Sequence, residues 1–190
     1  MGLWDALRGR TAPTRPDLDS LFLVPSAAIA LQTAADLQPT GSGSVCFRAA
    51  EGAAFRHTQD EVVALLDADA HAPDVRLSLD DYGYTWLTVD REPADTAGVC
   101  TDLHAVNTAL ETQGFGPGLL CSLVPFTDAQ GKRVGLVYLY RRGTFYPFAP
   151  DEGQLRDHLL ELRVRDALAG ELPIEKDVQR WLAIWGAPGL

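Results

Sequence analysis

The side chains best suited to chemistry in this sequence are its histidines and cysteines, and they are widely spaced. The histidines are His57, His71, His104 and His158, and the cysteines are Cys46, Cys100 and Cys121. Cys100 and His104 stand four residues apart, where they can share one face of a helix. Zinc sites favour closely spaced clusters of such ligands, and two ligands are too few. The spacing therefore indicates no metal site.

The cysteines indicate a reducing compartment rather than a disulfide framework. Their number is odd, and no two of them are separated by just two residues. Free cysteine is commonly buried as a small apolar side chain, whereas a reactive thiol needs a neighbouring base or cation. We therefore expect reduced, buried cysteines in a cytoplasmic protein.

Paired carboxylates and glycine-rich stretches are also candidates for chemistry, and each has a structural explanation. Asp80–Asp81 fits a turn, where aspartate makes local hydrogen bonds, and Asp151–Glu152 fits the positive end of a helix. The glycine-rich stretch at 41–44 precedes a predicted strand, and the one at 114–118 follows a predicted helix. A phosphate-binding loop instead precedes a helix, whose N-terminal amides bind the phosphate. The sequence predicts no catalytic residue and no cofactor, so we expect a protein that is not an enzyme.

Length and composition describe an acidic globular chain. It has 190 residues, 16 basic and 26 acidic side chains and a formal net charge of −10. Phosphate binding needs a basic face, so this balance argues against nucleic acid as a partner. An unbroken run of about 18 apolar residues is absent from the sequence, and we expect neither a membrane-spanning helix nor a secretion leader.

The first sixteen residues differ from the rest because they are basic and carry a tryptophan. They contain three arginines and one aspartate. The spacing of Leu3, Trp4 and Leu7 puts these side chains on one side of a short helix, and Arg8 and Arg10 follow. Such a segment suits an anionic membrane surface or a docking partner. The alternative is that Trp4 packs onto its own domain.

Apolar periodicity and turn residues divide the remaining chain into alternating elements. Helices are predicted over 17–38, with Pro25 interrupting and Ser26 capping a second stretch, and over 59–67 and 93–113. A further helix is predicted over 151–169, with apolar positions Leu155, Leu159, Leu162 and Leu168. Strands are predicted at 44–49, in a hairpin over 75–89, at 119–127 and 132–141, and in an edge strand containing Pro147.

This order of elements predicts an α+β fold. We expect an antiparallel or mixed sheet of about five to six strands with helices packed mainly on one face. The chain divides into the basic segment 1–16, a single domain over 17–170, and an amphipathic helix and tail over 171–190.

Two pairs of side chains are candidates for partner contact. Trp181 and Trp185 lie four residues apart in the predicted C-terminal helix, where they are either core anchors or contacts of a partner. Arg141 and Arg142 lie at a predicted turn. Together with Lys132–Arg133 at a second turn they make a small basic spot, which is either solvated charge or a contact for an acidic partner or a lipid headgroup.

Several long phrases resemble the PspA-associated protein PspAB family. They include MGLWDALRGR, DYGYTWL, GFGPGLLCSLVPF, LVYLYRRGTFYPFAP and WLAIWGAPGL, and the resemblance runs from Met1 to Leu190. The family is named for occurring with phage-shock protein A, PspA, a membrane-stress protein. The resemblance implies a role in the envelope stress response with PspA as the partner, and it brings no catalytic residues.

A second resemblance concerns the fold of the middle of the chain. The hairpin with Trp86, the helix containing Val106–Asn107 and the strand GLLCSLVPF resemble the YbjN and type III secretion chaperone-like fold. This resemblance implies binding of protein segments and a homodimer as one expected assembly. Fold alone does not establish function.

The sequence therefore favours a non-enzymatic accessory protein that meets PspA, the inner face of the cell membrane, or both. The alternative is a chaperone-like module that binds protein segments with a sheet face or with the Trp181–Trp185 helix. A third class, a small-ligand-binding or enzymatic domain, requires a deep pocket with converging ionisable groups.

Overall fold

A computed structural model describes residues 17–48, Ala64 and residues 73–190 of the chain. The basic segment 1–16 lies outside these ranges. The helix predicted over 59–67 also lies outside them except for Ala64, which is helical.

Antiparallel hairpins build the main sheet, as the alternating apolar pattern predicts. Within the described ranges the strands are β1 (Gln38–Pro39), β2 (Ser42–Phe47), β3 (Arg76–Leu79), β4 (Thr85–Asp90), β5 (Leu119–Thr127), β6 (Arg133–Leu139) and β7 (Thr144–Phe148). Their order is β3-β4-β2-β5-β6-β7, with β1 also paired to β5. A separate hairpin follows, made of β8 (Pro150–Asp151) and β9 (Leu155–Arg156).

Three α-helices in the described part of the chain pack on one face of this sheet. They are α1 (Val24–Ala35), α2 (Thr96–Thr112) and α3 (His158–Leu168). The larger apolar cluster joins their buried side chains to strand residues such as Val45 and Leu136. Neighbouring strand residues such as Cys46 and Val137 point to the other face and form a second cluster without these helices. The predicted α+β class, with helices on one face, is confirmed.

Helix α2 carries the apolar stripe that the sequence predicts. Its four positions are all buried: Val99, Leu103, Val106 and Leu110. The Asp95 carboxylate caps the helix by accepting a hydrogen bond from the Gly98 N–H at 2.8 Å. Gly43 of β2 permits the close approach of helix and sheet, because a Cβ there would lie 2.6 Å from Val99 Cγ1.

Two details predicted for the first helix are wrong. Pro25 does not interrupt the helix but lies in the first turn of α1, where backbone N–H groups have no partner within the helix. Ser26 does not cap a helix, and its hydroxyl donates instead to the Glu171 carboxylate at 2.7 Å. A 3-10 helix, Leu18–Leu23, precedes α1.

The combined stretch Leu18–Ala35 is long and apolar enough, by length and composition alone, to cross a membrane, with a mean hydropathy of 1.4. Polar residues interrupt it, so a search for an unbroken apolar run does not find it. Within the protein 44% of this stretch is buried. Leu21, Val24 and Leu31 are fully enclosed in the core on the helical side of the sheet, so the stretch packs as a core helix.

The helix predicted over 151–169 begins later than expected, at His158. The Asp157 carboxylate caps it by accepting from the Leu160 N–H at 2.9 Å. Three expected apolar positions are exposed: Leu155, Leu159 and Leu162. The buried residues of α3 are Glu161, Val164 and Leu168. The buried face of α3 therefore includes a carboxylate, Glu161, which a search for apolar residues at helical spacing does not count. The pattern instead selects leucines that lie on the exposed face or before the helix begins.

The predicted C-terminal amphipathic α-helix is also wrong. Residues 173–190 form a C-terminal strap with one short 3-10 helix, Val178–Arg180. The strap starts along β7, where the Phe145 N–H donates to Pro173 O at 2.9 Å and the Glu175 N–H donates to Phe145 O at 2.7 Å. A helix this short is marginal alone, and these contacts outweigh its local preference. The division of the chain at 170 stays a prediction.

Candidate binding cleft

The C-terminal strap leaves a cleft of about 670 Å³ on the sheet face that carries no helices. Its floor consists of strand side chains: Cys46, Trp86, Cys121, Leu139 and Tyr146. Tyr82 and Tyr84 of the β3–β4 turn form one wall, and Leu182–Trp185 of the strap form another. The volume falls within the 300–1,000 Å³ typical of binding pockets.

Three arginines lie at one end of this cleft. Arg48 follows β2, and Arg141 and Arg142 follow β6. Both strands run antiparallel to β5, which lies between them, so they end at the same end of the sheet. Because β2 and β6 run in the same direction, arginines that are far apart in sequence lie at the same end of the sheet.

Asp80 shapes the wall and the floor of the cleft together. Its Oδ1 accepts from the Tyr82 and Tyr84 N–H groups, both at 2.9 Å, and its Oδ2 accepts from the Trp86 indole Nε1–H at 2.9 Å. The predicted turn at Asp80–Asp81 is confirmed. The bond to Trp86 is a tertiary contact that turn chemistry alone does not indicate.

Replacing Asp80 with asparagine is expected to lower the free energy of unfolding by about 1–3 kcal/mol. The new amide keeps one carbonyl oxygen for the turn, but its NH₂ group cannot accept the hydrogen bond of the Trp86 indole. Urea unfolding followed by tryptophan fluorescence measures the loss. The exposed neighbour supplies the control, because Asp81→Asn should change stability by less than about 0.5 kcal/mol. Equal losses in the two variants would show that the indole bond is unimportant.

Glu175 fastens the strap to the edge of the sheet. Its buried carboxylate accepts from the Arg142 guanidinium, from the Thr144 hydroxyl at 3.0 Å and from the Asp177 N–H at 3.0 Å. Its backbone carbonyl accepts from the Trp181 indole Nε1–H at 3.0 Å. Burial alone would raise the pKa of Glu175, but these hydrogen bonds and the charge of Arg142 hold its pKa below the ordinary value of 4.5.

Acid is expected to destabilise the protein as the pH falls below about 4.5, the ordinary pKa of glutamate. A carboxyl group whose pKa is lowered by folding stabilises the protein above its unfolded pKa, and this contribution disappears as the pH falls through the folded pKa. Asp157 acts in the same sense, because its hydrogen bond from Lys132 lowers its pKa. Urea unfolding at pH 7, 5 and 3.5 measures the effect. In Glu175→Gln the free energy of unfolding should depend less on pH. If it falls with acid as steeply as in the unchanged chain, the assignment to Glu175 is contradicted.

A buried ion pair joins the strap to helix α3. The Arg156 guanidinium donates to Glu161 Oε1 at 2.8 Å and to Trp181 O at 2.6 Å. It also lies over the Phe148 ring, 5.1 Å from the ring centroid, at a distance typical of cation–π contacts. Arg156 therefore connects the helix, the sheet and the strap behind the cleft.

The three cysteines are packed among apolar side chains. Cys46 and Cys121 are opposite each other on β2 and β5, and all three cysteines are buried as predicted. The hydrogen bond between Cys46 and Cys121, together with burial, raises the pKa of Cys46 far above its ordinary value. Burial raises the pKa of Cys100 to about 12. These two thiols therefore stay protonated near neutral pH, which suits apolar packing.

Comparison with models of protein families shows which family the chain belongs to. A family model described as PspA associated protein B matches residues 1–189. The chain belongs to this family. The resemblance seen in the sequence is thereby confirmed, and the chain is a PspA-associated accessory protein. No curated protein and no solved structure matches it, so the likeness to secretion chaperones stays a prediction.

In this PspA-associated chain, three of the predicted site residues come together. Arg141, Arg142 and Trp185 line the cleft. Trp181 is buried and stacks on Tyr146 with ring centroids 6.2 Å apart, which favours the core-anchor interpretation for this residue. The predicted membrane or partner contact, which consists of Leu3, Trp4, Leu7, Arg8 and Arg10, lies outside the described residues.

Cys100 and His104 do not form a joint site. Cys100 is buried, whereas His104 lies 3.5 Å from the Asp19 carboxylate and 5.0 Å from Phe22, measured between the ring centroids. Within residues 17–48 and 73–190, no group of three or more His, Cys, Asp or Glu side chains could hold a metal ion.

Sequence reasoning missed the aromatic wall of the cleft. Tyr82 and Tyr84 line it beside Trp86. The alternation of Tyr84 and Trp86 along the strand carries the signal, because residues two apart point to the same sheet face. The missing information is that this face is covered by the strap and not by a helix.

Proposed function

We propose that this chain is a non-enzymatic accessory protein of a PspA-type envelope stress response and that it binds a segment of PspA in the cleft. The observation that carries the proposal is the aromatic cleft on the helix-free sheet face. Tyr82 is exposed and Tyr84 and Trp185 are partly exposed around an apolar floor, an arrangement typical of protein-binding surfaces. Membership of the PspA-associated family supports PspA as the partner.

The polar groups of the cleft support binding rather than proton transfer. Arginine stays protonated at physiological pH and only donates hydrogen bonds. The Asp80 carboxylate already accepts three N–H groups, and Arg142 is paired with Glu175. A general acid or base needs a group free to exchange its proton with a substrate, whereas Asp80 and Arg142 are committed to holding the fold.

A pull-down with purified PspA, with and without anionic liposomes, tests the proposal. We expect the chain to capture PspA without lipid. Leu182→Asp should abolish this capture, because Leu182 lines the cleft and is 63% exposed. Leu159→Asp is the matched control, since Leu159 is 82% exposed on helix α3, away from the cleft. If both variants capture PspA as well as the original chain, the cleft is not the binding site. Capture of unfolded model proteins through the same cleft would favour the chaperone-like alternative.

The basic segment 1–16 supports a second contact, with the inner face of the cell membrane, and hence a cytoplasmic, peripheral location. Its apolar side chains Leu3, Trp4 and Leu7 would enter the headgroup region beside Arg8 and Arg10. About 1 kcal/mol per basic residue near an anionic surface predicts reversible binding that weakens with salt. Deleting residues 1–10 should abolish sedimentation with anionic liposomes. Undiminished sedimentation would remove this part of the proposal.

A further inference from the structure

We infer that the segment received by the cleft is an amphipathic stretch of protein whose apolar anchors are followed by an acidic side chain, which Arg141 binds. The inference rests on the proposed function and names the chemistry of the partner segment. It concerns the arginine end of the cleft, whereas capture itself depends on the apolar floor.

The charges around the cleft differ in sign from those of the whole chain. The lining contains three arginines and, among the described residues, a single acidic side chain, Asp80. The chain as a whole carries a net charge of −10. The Asp80 carboxylate faces the Tyr82, Tyr84 and Trp86 N–H groups, so it is already satisfied. Arg141 therefore provides a cationic position at one end of the cleft on an acidic protein, and charge complementarity there selects an anionic occupant.

Arg141 is the arginine best placed to bind such an occupant. Its side chain is exposed, and one guanidinium N–H donates to the Pro117 carbonyl. This hydrogen bond orients the guanidinium group, and its other N–H donors stay available to bind a ligand. Among the described residues, no carboxylate lies within 4.0 Å of it, in contrast to Arg142, which is paired with Glu175.

The size of the cleft indicates how the partner enters. A helix with its side chains is about 10–12 Å across, so a cleft of about 670 Å³ accepts side chains rather than a whole helix. The backbone groups of the floor strands are paired within the sheet, so a partner strand has no free ladder to join there. Apolar side chains inserted between Tyr82 and Leu182, two exposed residues of the cleft, place the following residue of the segment near the arginine end.

Charge also argues against the chain's own N-terminal segment as the occupant. This segment, residues 1–16, carries three arginines and one aspartate, and like charges at the Arg141 end would repel it. A partner segment with an acidic side chain pairs with Arg141, while its apolar side chains fill the cleft.

Overlapping 15-residue peptides of PspA, measured by fluorescence polarisation at low salt, provide the test. The tightest-binding peptide should contain apolar anchors with a neighbouring Asp or Glu. Replacing that acid with Gln should weaken binding, and replacing it with Lys should weaken binding by about tenfold or more. Arg141→Glu should weaken the original peptide similarly and should bind the Lys peptide better than the unchanged chain does.

Arg163→Glu is the matched control. Arg163 is exposed on α3 and, like Arg141, donates to a backbone carbonyl, that of Ala34 at 2.7 Å. This variant should bind the peptide normally, and thermal unfolding of both variants checks that they fold. The control separates a local effect of Arg141 from a change in overall charge.

Contrary outcomes distinguish the inference from the proposed function. If peptides bind but their Glu, Gln and Lys forms bind equally, the acidic preference is overturned while capture stands. If no PspA peptide binds and Leu182→Asp leaves PspA capture intact, the proposed function itself fails. If deleting residues 1–16 lets peptides of any charge bind equally, the N-terminal segment is the occupant and the inference is wrong. Direct binding of dodecanoate that Leu182→Asp abolishes, with no peptide binding, would assign the cleft to a fatty acid instead.

Discussion

Trp181→Ala is expected to lower the free energy of unfolding by about 3–5 kcal/mol, in the range for large buried aromatic residues. Trp181 is buried, it stacks on Tyr146, and its indole N–H is bonded to Glu175 O at 3.0 Å. The substitution removes this packing and leaves the carbonyl without its donor. Urea unfolding of the purified variant, followed by circular dichroism, measures the loss.

Trp185→Ala is the control for this prediction and should be much less destabilising. Trp185 is only partly buried, and it packs edge-on against Phe148 with ring centroids 4.9 Å apart. Because it lines the cleft, its loss should weaken partner capture more than stability. If Trp181→Ala folds normally and loses PspA capture, Trp181 is a partner contact and not a core anchor.

Arg156→Met is expected to cost about 3–5 kcal/mol, because breaking a buried ion pair leaves an uncompensated charge. The carboxylate of Glu161 is buried, and it would retain hydrogen bonds from the Ala149 N–H at 3.0 Å and from His158 at 3.1 Å. The change also removes the hydrogen bond from Arg156 to Trp181 O. Chemical unfolding at neutral pH measures the loss.

A double variant separates the charge from the packing. Arg156→Met with Glu161→Gln removes the buried charge, while the new amide oxygen can still accept from the Ala149 N–H. This double variant should be more stable than Arg156→Met alone. If it is less stable, the isolated Glu161 charge is not the source of the loss, and Arg156 acts mainly through its bond to the strap.

Local patterns predicted the elements whose neighbours in space are also neighbours in sequence. The β3–β4 hairpin follows from alternating residues around the Asp80 turn, and α2 follows from its stripe of Val99, Leu103, Val106 and Leu110. The stripe of α2 is buried at the expected period, and in the hairpin Leu87 and Val89 face the core, whereas Leu79 is exposed. Their positions could therefore be predicted without knowledge of the rest of the fold.

The strap and the start of α3 could not be predicted in this way. Two glutamates, Glu161 and Glu175, occupy buried positions because Arg156 and Arg142 compensate their charges. Arg142 and Thr144, which bind the Glu175 carboxylate, and the β7 residues that the strap contacts are distant from the strap in sequence. Trp181 and Trp185 have the spacing of a helix, but the fold places them in an irregular segment. The basic spot at Arg141 and Arg142 was visible in the sequence, whereas its position beside an aromatic cleft required the fold.

The contact between the strap and β7 also determines how copies of the chain can associate through their sheet. The strap provides Pro173 O and the Glu175 N–H to Phe145, and Pro147 in the same strand has no N–H to donate. The β7 edge is therefore closed to a strand from another molecule, which protects it from aggregation by edge pairing. In the described part of the chain β3 pairs only with β4, which makes β3 the opposite edge strand of this sheet and the edge to test for pairing between copies.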